Sequence, residues 1–320
     1  MSDNALVLER VCKRFGDLKA VEELDLVVPA GSIYGFLGPN GAGKTTTLRM
    51  ILDIYKPTSG SISVLGHASA MAVRERIGYL PEEKGLYKKM KAWSIIAYFA
   101  TLKGLSRRDA KNKAFELLER YGLKDFANAK TEALSKGMGQ KVQVLASIAH
   151  DPELVILDEP FSGLDPVNQQ VMEEVIQDMA GRGRTILFST HVMSHAERIC
   201  DRVVLIAKGR KLIDGTIAEA RRTMPRRIRI ETADAIGPLE RVAGVTQVLR
   251  LGDGEATGAV GERPTTRWEL RLAEHGDPQA VLQACFENGI NLRTFDQTEP
   301  SLHDVFVHVV GDEAREASFR

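Results

Sequence analysis

The sequence predicts an α/β fold: a core of alternating strands and helices with a helical subdomain inserted, followed by a small α+β domain. Three observations carry this. From residue 6 to about residue 215, short β-rich runs alternate with helical patterns. Two long amphipathic segments, 92–103 and 106–121, interrupt that alternation. A stretch of proline and arginines, Arg221-Arg222-Thr223-Met224-Pro225-Arg226-Arg227, then separates the core from a region of different pattern.

In chain order the core strands read as 6–10, 25–28, 32–37, 61–64, 77–79, 154–157, 185–189 and 203–207, with helices between the later ones. Residues 32–37 form a buried apolar run, and residues 45–54 carry a helical pattern. Between them stand Gly38, Pro39, Asn40, Gly41, Ala42, Gly43, Lys44, Thr45 and Thr46, which match the phosphate-binding loop pattern. The residue types explain the chemistry. Glycines let the backbone curl its N–H groups around phosphate oxygens, Lys44 can reach the β and γ phosphates, and the Thr45 hydroxyl can ligate Mg²⁺. The following helix points the positive end of its dipole at the same place. Such a loop grips a nucleoside triphosphate.

The inserted helices fall within a subdomain at about 83–134, and Ser106-x-x-Asp109 supplies a capping start for the second of them. The core domain as a whole is expected at 1–225. Beyond it, 228–232, 245–251 and 267–272 alternate like half-buried strands, 278–287 reads as a helix, and Ser301-x-x-Asp304 opens another. These make an accessory domain at 226–312 with a tail at 313–320. The Gly-rich, polar stretch 253–266 reads as a mobile loop. No internal repeat is visible.

Composition narrows the class. With 43% hydrophobic and 27% charged residues, the chain is an ordinary globular protein, and collagen, coiled-coil and disordered classes drop out. Formal charge is +0 without a long basic stripe, so sequence-independent binding to nucleic acid or an anionic surface is not expected. Cys12, Cys200 and Cys285 lie far apart without metal-ligand spacing, as in a reducing compartment. The longest apolar stretch, 95–102, is too short to cross a bilayer, and the first residues carry Asp3 and Glu9 rather than an apolar leader. Work at a membrane would need a separate anchor.

Hydrolysis of a triphosphate needs an anchor for Mg²⁺ and a group that positions the attacking water. Leu154-Val155-Ile156-Leu157-Asp158-Glu159-Pro160 places two adjacent carboxylates at the end of an apolar strand, Asp158 for the metal and Glu159 for the water. Alone, such a pair is a solvated strand end. Downstream of a phosphate loop, the catalytic reading takes precedence.

Three further motifs follow in order: Leu134-Ser135-Lys136-Gly137-Met138 before that strand, Ser162-Gly163-Leu164-Asp165 after it, and Ser189-Thr190-His191 closing a later strand. Together with the phosphate loop and the carboxylates, they resemble the ordered motifs of ABC-type ATPases over about two thirds of the chain. The resemblance implies a P-loop NTPase core of ABC type, with ATP sandwiched head to tail between two such domains. Ser135 and Gly137 of one copy would then face the phosphate loop of the other, His191 would contact the γ phosphate and the Glu159 water, and Asp165 would shape the dimer contact. A helix over 139–149 would aim its positive end at the same phosphate. Phe15, in Lys13-Arg14-Phe15-Gly16, falls at the position that stacks on adenine, and Glu82 falls where the family usually has a Mg²⁺-coordinating Gln. A carboxylate can ligate Mg²⁺ but cannot donate a hydrogen bond as an amide does. Lys136 and Met138 also depart from the usual Gly and Gln.

The details Tyr79-Leu80-Pro81-Glu82-Glu83-Lys84-Gly85-Leu86-Tyr87 and Pro300-Ser301-Leu302-His303-Asp304-Val305-Phe306 are similar to ABC-2 exporters, among them the sodium-exporter-like ATPases with an extra C-terminal domain. The resemblance implies an ATP-hydrolysing motor subunit. It would pair as a homodimer or heterodimer, drive a separate transmembrane permease, and sit peripherally on the cytoplasmic face of the inner membrane. The contrasting class is a soluble ABC ATPase acting on ribosomes or DNA. Ribosome-acting members carry two nucleotide domains in one chain and DNA-repair members insert long coiled coils, and neither feature is in this sequence. A binding-only switch ranks below the enzyme because Glu159 and His191 are both present.

Overall fold

The computed structural model describes residues 3–83, 85, 87–253, 264–273, 276–297 and 299–318. The chain divides into two compact units, Met1–Ile217 and Ala218–Arg320. The division falls ahead of residue 225, the expected domain end, because the short helix after Ile217 buries Ala220 and pairs Arg221 with Glu299 of the second unit.

Elements are numbered in chain order. In the first unit a long hairpin of β1 (Asn4–Phe15) and β2 (Leu18–Pro29) is joined on the β1 side by β4 (Ser59–Val64), giving an antiparallel sheet in the order β2-β1-β4. The hairpin far outruns the strands expected at 6–10 and 25–28. Its register slips several times, and Arg10 and Glu23 take positive φ, so bulges break the alternation that marks a strand in sequence.

The second sheet runs β5 (Ile77–Leu80), β6 (Leu154–Asp158), β7 (Thr185–Thr190), β3 (Ile33–Leu37), β8 (Arg202–Ala207) and β9 (Arg210–Thr216), in that order. All neighbours pair in parallel except β9, which turns back on β8. Every residue of β3, β6 and β7 is buried, which is why these strands read as continuous apolar runs. Helix α1 (Lys44–Ile51) buries Leu48, Met50 and Ile51 in one cluster with Leu6, Leu24 and Leu26 of the first sheet and Tyr34, Phe36 and Ile156 of the second. This packing fixes the start of α1 against the ends of β3 and β6.

The insertion comprises α2 (Ala92–Leu102) and α3 (Arg107–Arg120), the latter capped by Ser106, whose Oγ accepts from the Asp109 N–H at 3.1 Å. Its entry and exit pair through an antiparallel bridge between Lys91 and Lys130. Both helices pack on α4 (Lys136–Ile148). That helix starts three residues before the expected 139 because the Ser135 hydroxyl accepts from the Met138 N–H and caps it. Gly137 is thus in its first turn. The remaining helices of the unit are α5 (Pro166–Gly181) and α6 (Met193–Ile199).

Helix α7 (Ile217–Arg222) stands at the division, all but its first residue in the second unit, which holds an antiparallel sheet in the order β11 (Val245–Asp253), β12 (Thr266–Leu272), β10 (Arg227–Thr232), β13 (Leu292–Asp296). Helix α8 (Pro278–Glu287) adds Val281 and Cys285 to a core of Ile228, Ile230, Leu239, Leu270 and Leu272. Most of the expected loop at 253–266 lies outside the described residues. Helix α9 (Leu302–Ser318) continues as far as Ser318 into the expected tail, where Glu313-Ala314-Arg315-Glu316-Ala317 is a run of strong helix formers. Its start is the reciprocal cap foreseen from Ser301-x-x-Asp304: the Asp304 N–H donates to Ser301 Oγ at 3.1 Å, and the Ser301 N–H donates to the Asp304 carboxylate at 3.0 Å.

Candidate functional site

The carboxyl ends of β3, β6 and β7 converge, which is where open α/β sheets place their ligands. The loop after β3 is held in shape by Gly38, Gly41 and Gly43, with φ of 156°, 79° and 102°. Gly43 is the residue before α1, and a Cβ built on it would meet the Ala20 carbonyl oxygen at 2.5 Å. Lys44 is buried, and its Nζ donates to the carbonyls of Gly38 at 2.7 Å and Pro39 at 3.2 Å. The loop therefore folds around its own lysine.

Strand β6 delivers Asp158, which is buried. Thr45 Oγ1 lies 3.3 Å from Asp158 Oδ1, and Ser189 Oγ donates to the same oxygen at 2.6 Å. Burial pushes the Asp158 carboxyl above the usual carboxylate range, against the pull of the Ser189 and Thr45 hydroxyls. Its other oxygen, Oδ2, is buried with no hydrogen-bond partner among the described residues. A buried carboxylate oxygen in that condition suits a cation.

Glu159 leaves the strand with φ of 50°, a left-handed conformation uncommon in a non-glycine residue. Its N–H donates to Ser189 Oγ at 3.0 Å. Its carboxylate reaches Lys44 Nζ at 3.4 Å and His191 Nδ1 at 3.0 Å. Lys44 and Glu159 are 6% and 7% exposed, so the pair sits in a dry setting, while His191 stays half-exposed at the rim.

A cavity of about 710 Å³ opens over this cluster, lined by Phe15, residues 39–46, Glu82, Glu159 and Lys208 among others. Phe15 is 44% exposed on it rather than part of the core. Its ring stands edge-on to Tyr55 at 5.6 Å, with Lys13 Nζ 5.0 Å from its centre. Glycine N–H groups, a lysine, a hydroxyl beside a buried carboxylate and an open aromatic ring together fit a nucleoside triphosphate with a divalent cation.

Ser135, Gly137 and Asp165 are not among the residues lining this cavity. Ser135 caps α4, and Gly137 packs so closely on α5 that a Cβ there would meet Asn168 Nδ2 at 2.5 Å. Asp165 caps α5. The Asn168 N–H donates to it at 2.9 Å and holds its carboxyl below the usual carboxylate range. The structure thus gathers Phe15, the phosphate loop, Glu82, Asp158, Glu159 and His191 in one place and leaves the other three outside the cavity lining. Sequence reasoning passed over Ser189 as a site residue, although it ties Asp158 to Glu159. Its signal was a hydroxyl closing an apolar strand, within the Ser189-Thr190-His191 motif.

A phosphate loop set against a strand bearing paired carboxylates defines the class as a P-loop nucleoside triphosphatase. Residues 21–162 match the family described as ABC transporter, and residues 215–310 match the C-terminal domain of DrrA1-3-like ATP-binding proteins. The uncharacterized ABC transporter ATP-binding protein YhaQ of Bacillus subtilis (strain 168) is 40% identical over 96% of this chain and 98% of that protein. The Nod factor export ATP-binding protein I of Sinorhizobium fredii (strain NBRC 101917 / NGR234) is 33% identical over 98% of this chain and 88% of that protein. A solved ATP-binding subunit of an ABC transporter superposes with a TM-score of 0.63 at 32% identity, covering 68% of this chain and 92% of that one. This chain belongs to the ATP-binding subunits of ABC transporters, ATPases coupled to transport, and its relatives include exporter ATPases. Among the described residues no helix is long and apolar enough to cross a membrane.

Proposed function

We propose that this chain is the motor of an ABC exporter: two copies, or one copy and a similar subunit, close around two ATP, and their opening and closing drives a separate transmembrane permease. The observation that carries the pairing is the division of the site residues. The cavity holds the phosphate loop, Glu82 and Glu159, while Ser135 and Gly137 stand elsewhere at the start of α4 with a helix N-terminus behind them. A second copy can bring that start onto the phosphates.

Within each cavity, Lys44 exchanges its loop carbonyls and Glu159 for the β and γ phosphates. Mg²⁺ would be held by Thr45 and Asp158, with Glu82 close by and phosphate oxygens completing the shell. A cation held there would supply neutralisation of charge on the transferred group. Glu159 orients the water and accepts its proton, and His191 fixes the carboxylate through its Nδ1 and faces the γ phosphate. Phe15 stacks on adenine. The helical insertion, outside the cavity, is the part that touches the permease, and the subunit is peripheral to the membrane through that contact.

The test is a mild-detergent pull-down of the tagged Glu159→Gln protein with ATP and Mg²⁺, paired with ATPase assays. Turnover should fall by roughly 10²-fold or more while ATP binding persists and a dimer accumulates. A multi-span membrane protein should come with it. Unchanged turnover removes Glu159 from its role, and recovery of ribosomes or DNA-repair partners without a membrane protein overturns the transport reading.

A further inference from the structure

The turn that carries Glu159 is held from three sides. Its N–H goes to Ser189 and its carbonyl accepts from the Ser162 N–H at 3.1 Å. The next carbonyl, that of Pro160, accepts from Gln140 Nε2 at 2.6 Å. Gln140 stands on α4, five residues after the Ser135 cap, and is 5% exposed. Its Oε1 has no hydrogen-bond partner among the described residues, so the Pro160 bond is the polar contact the structure gives this buried amide. A residue before proline is normally kept out of helical backbone, and Glu159 is in the left-handed region. Such a turn persists only where its surroundings over-determine it.

Two more contacts hold the start of α4, one to the first turn of α5 and one to the loop before it. Gly137 of α4 lies against the Asn168 side chain, and Lys136 Nζ lies over Gly163, whose φ is 67°. The start of α4 is thus held to the loop from Pro160 to Asp165 by Gln140 and Lys136 and to the first turn of α5 by Gly137, with Gln140 as the buried pin. We propose that Gln140 is a positioning residue for Glu159, which transmits the placement of the Ser135–Gly137 segment to the carboxylate that orients water. This rests on the hydrolytic role given to Glu159 above. Gln140 is not among the residues lining the cavity. Its effect therefore belongs in kcat, not in ATP affinity.

The experiment compares Gln140→Met and Gln140→Glu with the wild type and Glu159→Gln in steady-state ATPase assays, alongside equilibrium ATP binding and thermal unfolding. Gln140→Met keeps the length of the side chain without the donor, and kcat should fall about tenfold or more with KM and ATP affinity within about twofold. Gln140→Glu supplies an O–H donor to Pro160 only when protonated. Its kcat relative to the wild type should therefore rise as pH falls, and burial raises the pH at which this recovery begins. The proposal is overturned if folded Gln140→Met turns over like the wild type, if its loss appears equally in affinity, or if the Gln140→Glu ratio is flat with pH. If instead Glu159→Gln retains turnover, it is the hydrolytic role of Glu159 that fails, a result distinct from any of these.

Discussion

Ser189→Ala is the substitution whose cost can be worked most directly from the geometry. The hydroxyl is fully buried, donates to Asp158 Oδ1 at 2.6 Å and accepts from the Glu159 N–H at 3.0 Å. Its removal strips a charge-assisted bond, about 1.5–3 kcal/mol, and leaves a buried N–H without its acceptor, about 1–3 kcal/mol. The two bonds share one atom and are not additive, so the expected loss at neutral pH is about 3 kcal/mol. Its pH dependence has a definite sign. Ser189 donates to the charged form of a carboxyl that burial already pushes up. Without it the folded variant holds its proton to still higher pH than the folded wild type. The destabilisation is therefore largest where Asp158 is ionised and shrinks as pH falls through the raised titration.

The chain offers a clean reporter. Its two tryptophans are Trp93 in the first unit and Trp268 in the second, so a Trp268→Phe background leaves Trp93 to report unfolding of the unit that carries the site. Urea unfolding at neutral and mildly acidic pH, with m unchanged, gives the two free energies. A loss below about 1 kcal/mol at neutral pH, or one that does not move with pH, refutes the account of Ser189 as the tie between the carboxylates.

Gly43→Ala adds a Cβ at φ of 102° facing the Ala20 carbonyl at 2.5 Å; strain of about 1–3 kcal/mol in the loop should lower ATP affinity roughly tenfold or more by calorimetry. His150 is pushed from an ordinary 6.5 down to about 4, first by burial and then by the Lys103 charge. The unfolded chain protonates it below 6.5 and the folded chain only near 4, so wild-type stability falls across that window. Discounted for partial exposure, the fall is about 2 kcal/mol, and His150→Gln should flatten that part of a Tm-against-pH curve. Asp304 is pushed up by burial but held down to about 2 by hydrogen bonds from Ser301 and Arg227. Its contribution is present above the ordinary 3.8 and lost as pH falls through 2, so Asp304→Asn should cost about 1 kcal/mol at pH 7, with the difference vanishing in acid.

The parts of the fold that were legible in sequence are those where one local pattern does one job. Strands β3, β6 and β7 are buried on both faces and show as unbroken apolar runs, and the phosphate loop between β3 and α1 is a contiguous motif. What stayed hidden depends on pairing. Strand β9 lies at the sheet edge, and its two apolar residues, Leu212 and Ile213, are adjacent rather than alternating and are flanked by Arg210, Lys211 and Asp214, so no strand pattern marks it. Strand β13 buries none of its five residues fully. Gln140 and Ser189 are polar residues on a helix and a strand, and only the fold brings them to Pro160 and Asp158.

The paired carboxylates show how a local oddity makes a site. In a continuing strand, adjacent side chains point to opposite faces, and Asp158 and Glu159 would diverge across the sheet. The positive φ at Glu159 cancels that alternation. Asp158 keeps its strand direction toward Thr45 and Ser189, while Glu159 swings back to Lys44 and His191. Lys44 and Thr45 are themselves neighbours at the start of α1, so two consecutive carboxylates meet two consecutive loop residues, each with a different partner. The strained turn is therefore what lets adjacent residues face different partners, one carboxylate the Thr45 and Ser189 hydroxyls and the other the ammonium and imidazole. Anything that relaxed Glu159 toward ordinary strand geometry would separate them, which is why its N–H and the carbonyls on either side of Pro160's nitrogen are each engaged in a hydrogen bond.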